Sequence, residues 1–149
     1  MMFYTHMAFA FLIAILSISL LHPANQILFL ILLMFAAALP DIDHPQSKLG
    51  SKFKIFSWFF EHRGFFHSAL AMLFFSLLAF YLLKQEIYFF AVLIGYGSHL
   101  LTDLISMQGI RFFYPSKKHI HGFIKTGGLL EHILLIIFII LGIWQLMHL

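Results

Sequence analysis

Five apolar stretches, Met7 to Leu21, Ile27 to Leu39, Ser68 to Leu83, Ile87 to Ile105 and Leu129 to Met147, occupy more than half of this chain. They decide what it can become. In lipid a backbone has to satisfy its own N–H and C=O groups, so runs of this kind fold as helices. With 62% hydrophobic and 10% charged residues among 149, the chain cannot coat itself as a soluble domain of about 25% charged residues does. The mean hydropathy of +0.96 agrees. The expected fold class is all-α: a polytopic helical membrane protein of about five spans with short interfacial segments. No Pro/Ser-rich linker or low-complexity segment divides residues 1–149, so one integral-membrane domain is expected. The second stretch, at ~20 Å, falls short of the ~30 Å hydrocarbon core and has to lean on its neighbours or enter only part-way. The first lacks a Lys/Arg region ahead of it and a small-residue cleavage pattern, which favours a retained span over a signal peptide.

Basic residues orient these spans. Lys48, Lys52, Lys54 and Arg63 lie between the second and third; Arg111, Lys117, Lys118 and Lys125 lie between the fourth and fifth. The connection from Leu21 to Gln26 has none. The positive-inside rule then places both basic loops and the N-terminus in the cytoplasm and the C-terminus outside, in a cell (inner or plasma) membrane. This topology puts His6, Asp41, Asp43, His44, His62, His67, His99, Asp103 and Glu131 on one face, and His22 and His148 on the other. The formal charge of +3 follows from that placement, and no nucleic-acid partner is expected.

The polar residues are few, alike and grouped, and ionisable groups beside a membrane span are expensive unless they have a function. There is no Cys, so a metal would have to sit on His, Asp and Glu. Asp41 and Asp43 flank Ile42 just after Pro40, which ends the apolar run by withdrawing a backbone donor. They can face one cation, or they can simply cap a turn. His99 and Asp103 are four apart and share a helix face, fit either for one ion or for a hydrogen bond that joins two spans. His62 and His67 surround Gly64, with Arg63 placed to clamp an anion bidentately or merely to obey the sidedness rule. Ser68 reads as a helix cap. Glu131 at the start of the fifth span is either a ligand or an acid favoured by the helix N-terminus. Thr126-Gly127-Gly128 before it reads as a flexible approach loop, His132 points elsewhere on the helix, and His119 and His121 read as solvated residues of a basic loop. The run from Lys52 to Phe60 interleaves Lys with Phe and Trp, as a short helix in an anionic headgroup layer would, or an ordinary juxtamembrane loop.

Several chemistries are excluded by their missing signatures: no HExxH, no GxSxG, no phosphate-cradling Gly loop and no GxGxxG is present. The stretches LPDIDHPQSKLG, HRGFFHS, GYGSHLLTDLIS with Gly109 and Tyr114-Pro115 after it, and TGGLLE together resemble a known family. It is that of the LexA-regulated, inner-membrane, metal-dependent hydrolases, called YdjM-like, and His6 fits its early histidine. Phe66 stands where that family commonly has Thr, and Gly128 where Ser is frequent. The resemblance implies a membrane fold and a divalent metal. A more distant likeness to zinc phospholipase C and P1-type nucleases hints at phosphoester chemistry.

The expected metal ligands are therefore His6, Asp41, Asp43, His62, His67, His99, Asp103 and Glu131. They exceed the four-ligand shell of one zinc and suit one to three ions, with zinc favoured by the His content and manganese or iron as alternatives. Two ions ~3.5–4 Å apart suit attack on a phosphoester. Asp43 or Glu131 is the expected base and Arg63 the holder of an anionic substrate, with membrane lipid as partner and a phospholipid or other phosphoester as substrate. The competing expectation is a metal-binding or transport protein without hydrolytic activity, which would need ligands near the midplane and access from both sides.

Overall fold

A computed structural model of the chain describes residues 1–43 and 64–149, the side chain of Asp43 excepted. Five α-helices appear where the apolar stretches lie: α1 Phe3–Leu21, α2 Gln26–Ala38, α3 Ala69–Leu83, α4 Glu86–Ile105 and α5 Leu129–Met147. Among the described residues, short 3-10 turns, Leu39–Asp43 after α2 and Phe65–His67 before α3, complete the regular structure apart from two isolated β-bridges in the connection between α4 and α5. No strand forms among the described residues. The all-α membrane fold expected from the sequence is the fold observed.

Local chemistry sets the helix ends. Asn25 caps α2 by accepting from the backbone N–H of Leu28 at 2.9 Å. Pro40 cannot extend the helix, and the chain tightens into the 3-10 turn that carries Asp41. Ser68 caps α3, accepting from Ala71 N at 3.2 Å while its own hydroxyl donates to Phe65 O at 2.6 Å. α1 and α3 each stop at a residue in the left-handed region, His22 and Lys84.

α1, α4 and α5 are long and apolar enough to cross a membrane; α2 and α3 are shorter apolar helices. α4 is central, packed against α1, α2 and α3, and α5 lies outside against α1. Burial follows this order: 56% of the spanning window of α4 is buried within the protein, against 11% for α5, so α5 turns most of its surface to lipid. Ala10, Ala14, Ala37 and Ala91 meet Phe29 and Leu33 where α1, α2 and α4 cross. Small residues are expected at such crossings, because helix association in lipid depends on close packing. The tightest approach is at Gly95, where an added Cβ would lie 2.2 Å from the carbonyl oxygen of Leu33.

Beyond α4 the chain folds back on the helix end. Phe123 N and Ile124 N both donate to Ile105 O at 3.1 Å, and Gly122 N donates to Ser106 O at 2.9 Å. Ile110 and Ile120 exchange N–H···O bonds across an antiparallel bridge, with Gly109 turning at φ 60. Ala69 N donates to Phe112 O at 2.9 Å, which fastens this connection to the start of α3. The bundle end that carries the His and Asp residues is thereby closed by ordered backbone.

Candidate metal centre

Four segments bring one side chain each, or two in the case of α4, to the same end of the bundle. His6 comes from the first turns of α1, Asp41 from the turn after α2, His67 from the turn before α3, and His99 and Asp103 from the last turns of α4. His6, His67, His99 and Asp103 are at most 2% exposed, and Asp41 is 17% exposed. Their ligand atoms form two groups within 4.8 Å: His6, His99 and Asp103, and Asp41, His67 and His99.

The separations carry chemical information. Asp103 Oδ2 lies 3.5 Å from His67 Nε2 and 3.5 Å from His99 Nε2, while Oδ1 lies 3.4 Å from His6 Nε2. Asp41 Oδ1 lies 3.8 Å from His99 Nε2. N–H···O hydrogen bonds span about 2.7–3.2 Å, so these pairs are too far apart to be good ones. Donors ~2.0–2.1 Å from a tetrahedral cation stand ~3.3–3.4 Å from one another, close to what is seen. His99 Nε2 is buried without a hydrogen-bond partner among the described residues. A buried, unbonded imidazole nitrogen facing two carboxylates fits a divalent cation.

The outer partners aim the ring nitrogens. His99 Nδ1 lies 2.8 Å from Ala37 O. That carbonyl belongs to the last turn of α2, where helical carbonyls lose their intrahelical partners. Donation from Nδ1–H leaves Nε2 with its lone pair toward the acids. His6 Nδ1 lies 2.5 Å from Thr102 Oγ1. Thr102 passes its own hydroxyl hydrogen to His99 O at 2.8 Å and so accepts from His6. The His6 and His99 rings are stacked, centroids 3.8 Å apart and 5° from parallel. On the far side, Tyr96 on α4 donates to Phe66 O at 2.5 Å and so fixes the turn that presents His67. Phe66 contributes its carbonyl to this bond and stacks its ring on Phe75, centroids 6.2 Å apart.

Of the eight expected ligands, His6, Asp41, His67, His99 and Asp103 come together. Glu131 joins neither group: it is fully buried, and its two oxygens accept from Met2 N and Gly127 N, each at 2.6 Å. A carboxylate held this way by two amides ties the start of the chain to the Thr126-Gly127-Gly128 turn, apart from the two groups expected to include it. Met1 N lies 2.5 Å from Asp103 Oδ1. His62 and Arg63, and the side chain of Asp43, lie outside the described residues. Sequence reasoning missed Thr102, Tyr96 and the Ala37 carbonyl. Thr102 was discoverable, since it lies three residues after His99 and next to Asp103.

Comparison with known proteins agrees with this architecture. The sequence profile of the YdjM inner membrane protein family matches residues 1–148. The chain is 35% identical over 105 residues to uncharacterized protein YvsG of Bacillus subtilis (strain 168), covering 66% of each. It is 42% identical over 90 residues to inner membrane protein YdjM of Escherichia coli (strain K12), covering 53% of this chain and 45% of that protein. The same figures hold for inner membrane protein YdjM of Shigella flexneri. The aligned part thus spans less than half of the two YdjM proteins and about two thirds of the Bacillus one. No solved structure matches the chain. A buried His/Asp cluster at one end of an apolar helical bundle, together with a profile match along nearly the whole length, places the chain in the YdjM inner membrane protein family.

Proposed function

We propose that this chain is a metal-dependent hydrolase of the inner membrane, acting on a phosphoester from a His/Asp centre at the cytoplasmic end of its bundle. The observation that carries the reading is the buried Nε2 of His99, unbonded and 3.5 Å from Asp103 Oδ2 and 3.8 Å from Asp41 Oδ1. Imidazole and carboxylate donors suit zinc best, with manganese or iron as alternatives. A bound divalent cation would supply an acidified water and polarise a phosphoryl oxygen.

The chain's own residues supply the frame. Asp41, His67 and His99 form one group and His6, His99 and Asp103 the other, with His99 common to both, and the Asp103 oxygen on the His6 side also pairs with the Met1 ammonium. Thr102 and the Ala37 carbonyl hold the rings of His6 and His99 in the ligating orientation. Asp43 is the proposed base and Arg63 the proposed clamp on the anionic substrate. The placement of the cluster at one end of the bundle supports a surface-facing site over a permeation path, which needs ligands near the midplane.

The test has two arms. Protein extracted gently without chelator should contain ~1–2 divalent ions per chain by elemental analysis, and His99→Ala should lose them while remaining folded. A screen of phosphomonoesters and phosphodiesters should then show hydrolysis that chelation abolishes and the fitting metal restores. Metal-free wild-type protein would overturn the metal centre. Metal-loaded protein inert across the screen would overturn the hydrolase.

A further inference from the structure

One edge of the centre is more open than the rest. Asp41 is 17% exposed where the other four side chains are at most 2% exposed, so the cluster is most accessible at Asp41. Two residues before Asp41, Leu39 forms the near end of a cleft between α2, α3 and α4. The cleft has a volume of about 270 Å³, and its walls include Leu32 and Phe35 of α2, Phe75 and Ala79 of α3 and Val92 of α4. The lining side chains are all hydrocarbon or aromatic. Its lining reaches from Leu39, just after α2, to Leu82 and Leu83, the last residues of α3. α2 and α3, the two helices that are short of a full span, form most of it.

We infer that this cleft seats an acyl chain of a phospholipid whose phosphate ester lies at the Asp41 edge of the metal centre. The inference rests on the hydrolase reading and names its substrate class. Its ground is the nearness of the two features along one turn: Leu39 lines the cleft, and Asp41, two residues on, belongs to the cluster. A wholly apolar slot that ends two residues from the exposed carboxylate of the cluster matches a molecule with a hydrocarbon tail and an ester head. A water-soluble phosphoester would leave the slot unused. Lipid and cleft are equally apolar, so entering the cleft gains little from the hydrophobic effect. Its contribution is shape: it holds the tail in line so that the head arrives in register, while contacts at the centre supply the preference.

The experiment uses the full chain in vesicles of phosphatidylglycerol and phosphatidylcholine doped with a phospholipid carrying a mid-chain diazirine. Photolysis and peptide mapping compare labelling of Phe75 and Val92 in the cleft with labelling of Ile136 and Ile140 on the lipid-facing side of α5, an internal measure of ordinary lipid contact. Labelling in the cleft should exceed that on α5 about tenfold, the ratio that about 1.4 kcal/mol of preference gives. Ala79→Trp, which fills the slot, should bring the two to parity with metal content unchanged. Equal labelling of both faces in metal-loaded wild-type protein would overturn the inference and leave the metal centre standing. Metal content read from the same samples tests the centre separately. Should Ala79→Trp not fold, the wild-type ratio alone decides.

Discussion

The chemistry of the centre depends on side chains that do not themselves face the carboxylates. Thr102 accepts from His6 and donates to the backbone, so one hydroxyl fixes the ring of a residue 96 positions away. Thr102→Val keeps the shape and removes the hydroxyl, and partners of this kind are worth about 10–100-fold in metal affinity. We expect that loss in a competition titration against a chelator, with helical content unchanged; an unaltered affinity would show that His6 is not a ligand. Glu131 gives the opposite test. Both its oxygens accept amide hydrogens, so Glu131→Gln should cost about 1.5–3 kcal/mol of stability, the range for hydrogen bonds to a charged group. It should leave hydrolysis by the surviving folded fraction intact. Loss of turnover at full thermal stability would restore it as the base. The sequence made the ligands legible because oily chains contain few ionisable groups and each needs a reason. It did not separate Glu131 from them, since an acid at a helix start looks the same whether it faces a metal or its neighbours' amides.

Helix contacts in this protein depend on small residues more than on apolar bulk. Gly95 on α4 faces the Leu33 carbonyl of α2, and an added Cβ would sit at 2.2 Å, so backbone has to move. Gly97, two residues on, would meet only the flexible Met72 Sδ at 3.5 Å. The same substitution should therefore have opposite signs. Gly95→Ala should destabilise by about 1–3 kcal/mol, as overpacking does. Gly97→Ala should be neutral or stabilise by up to about 1 kcal/mol through helix propensity. Thermal unfolding in one detergent, compared side by side, checks this; equal shifts would mean that the α2–α4 contact is not close. Because Ala37 of α2 accepts from His99, Gly95→Ala should also weaken metal binding, whereas Gly97→Ala should not. The five helices were readable from hydropathy because lipid forces backbone hydrogen bonding within each segment. The fold-back between α4 and α5 was not, since its bonds pair Ile105 with Phe123 and Ile124 across a connection whose sequence shows only turns and charge.

At the scale of the molecule, the convergent His and Asp side chains among the described residues gather at one end of the bundle, and the charge pattern predicts which side of the membrane that end faces. Arg111, Lys117, Lys118 and Lys125 lie in the connection that closes this end, whereas the α3–α4 turn at the other end holds Lys84 alone. Retaining positive loops in the cytoplasm orients a helical protein, so the centre should open inward and draw its substrate from the inner leaflet. The absence of native Cys makes this directly measurable. Single cysteines at Lys48 and Lys117 should react with a membrane-impermeant maleimide only after the cells are permeabilised, and one at Gln85 should react in intact cells. The reverse pattern would turn the centre outward and with it the source of any lipid substrate. Labelling of Lys117→Cys and Gln85→Cys from the same side would break the bundle's alternation itself. α4, the one helix between those two positions, would then have to enter the bilayer without crossing it, although its 20 residues are long enough to span.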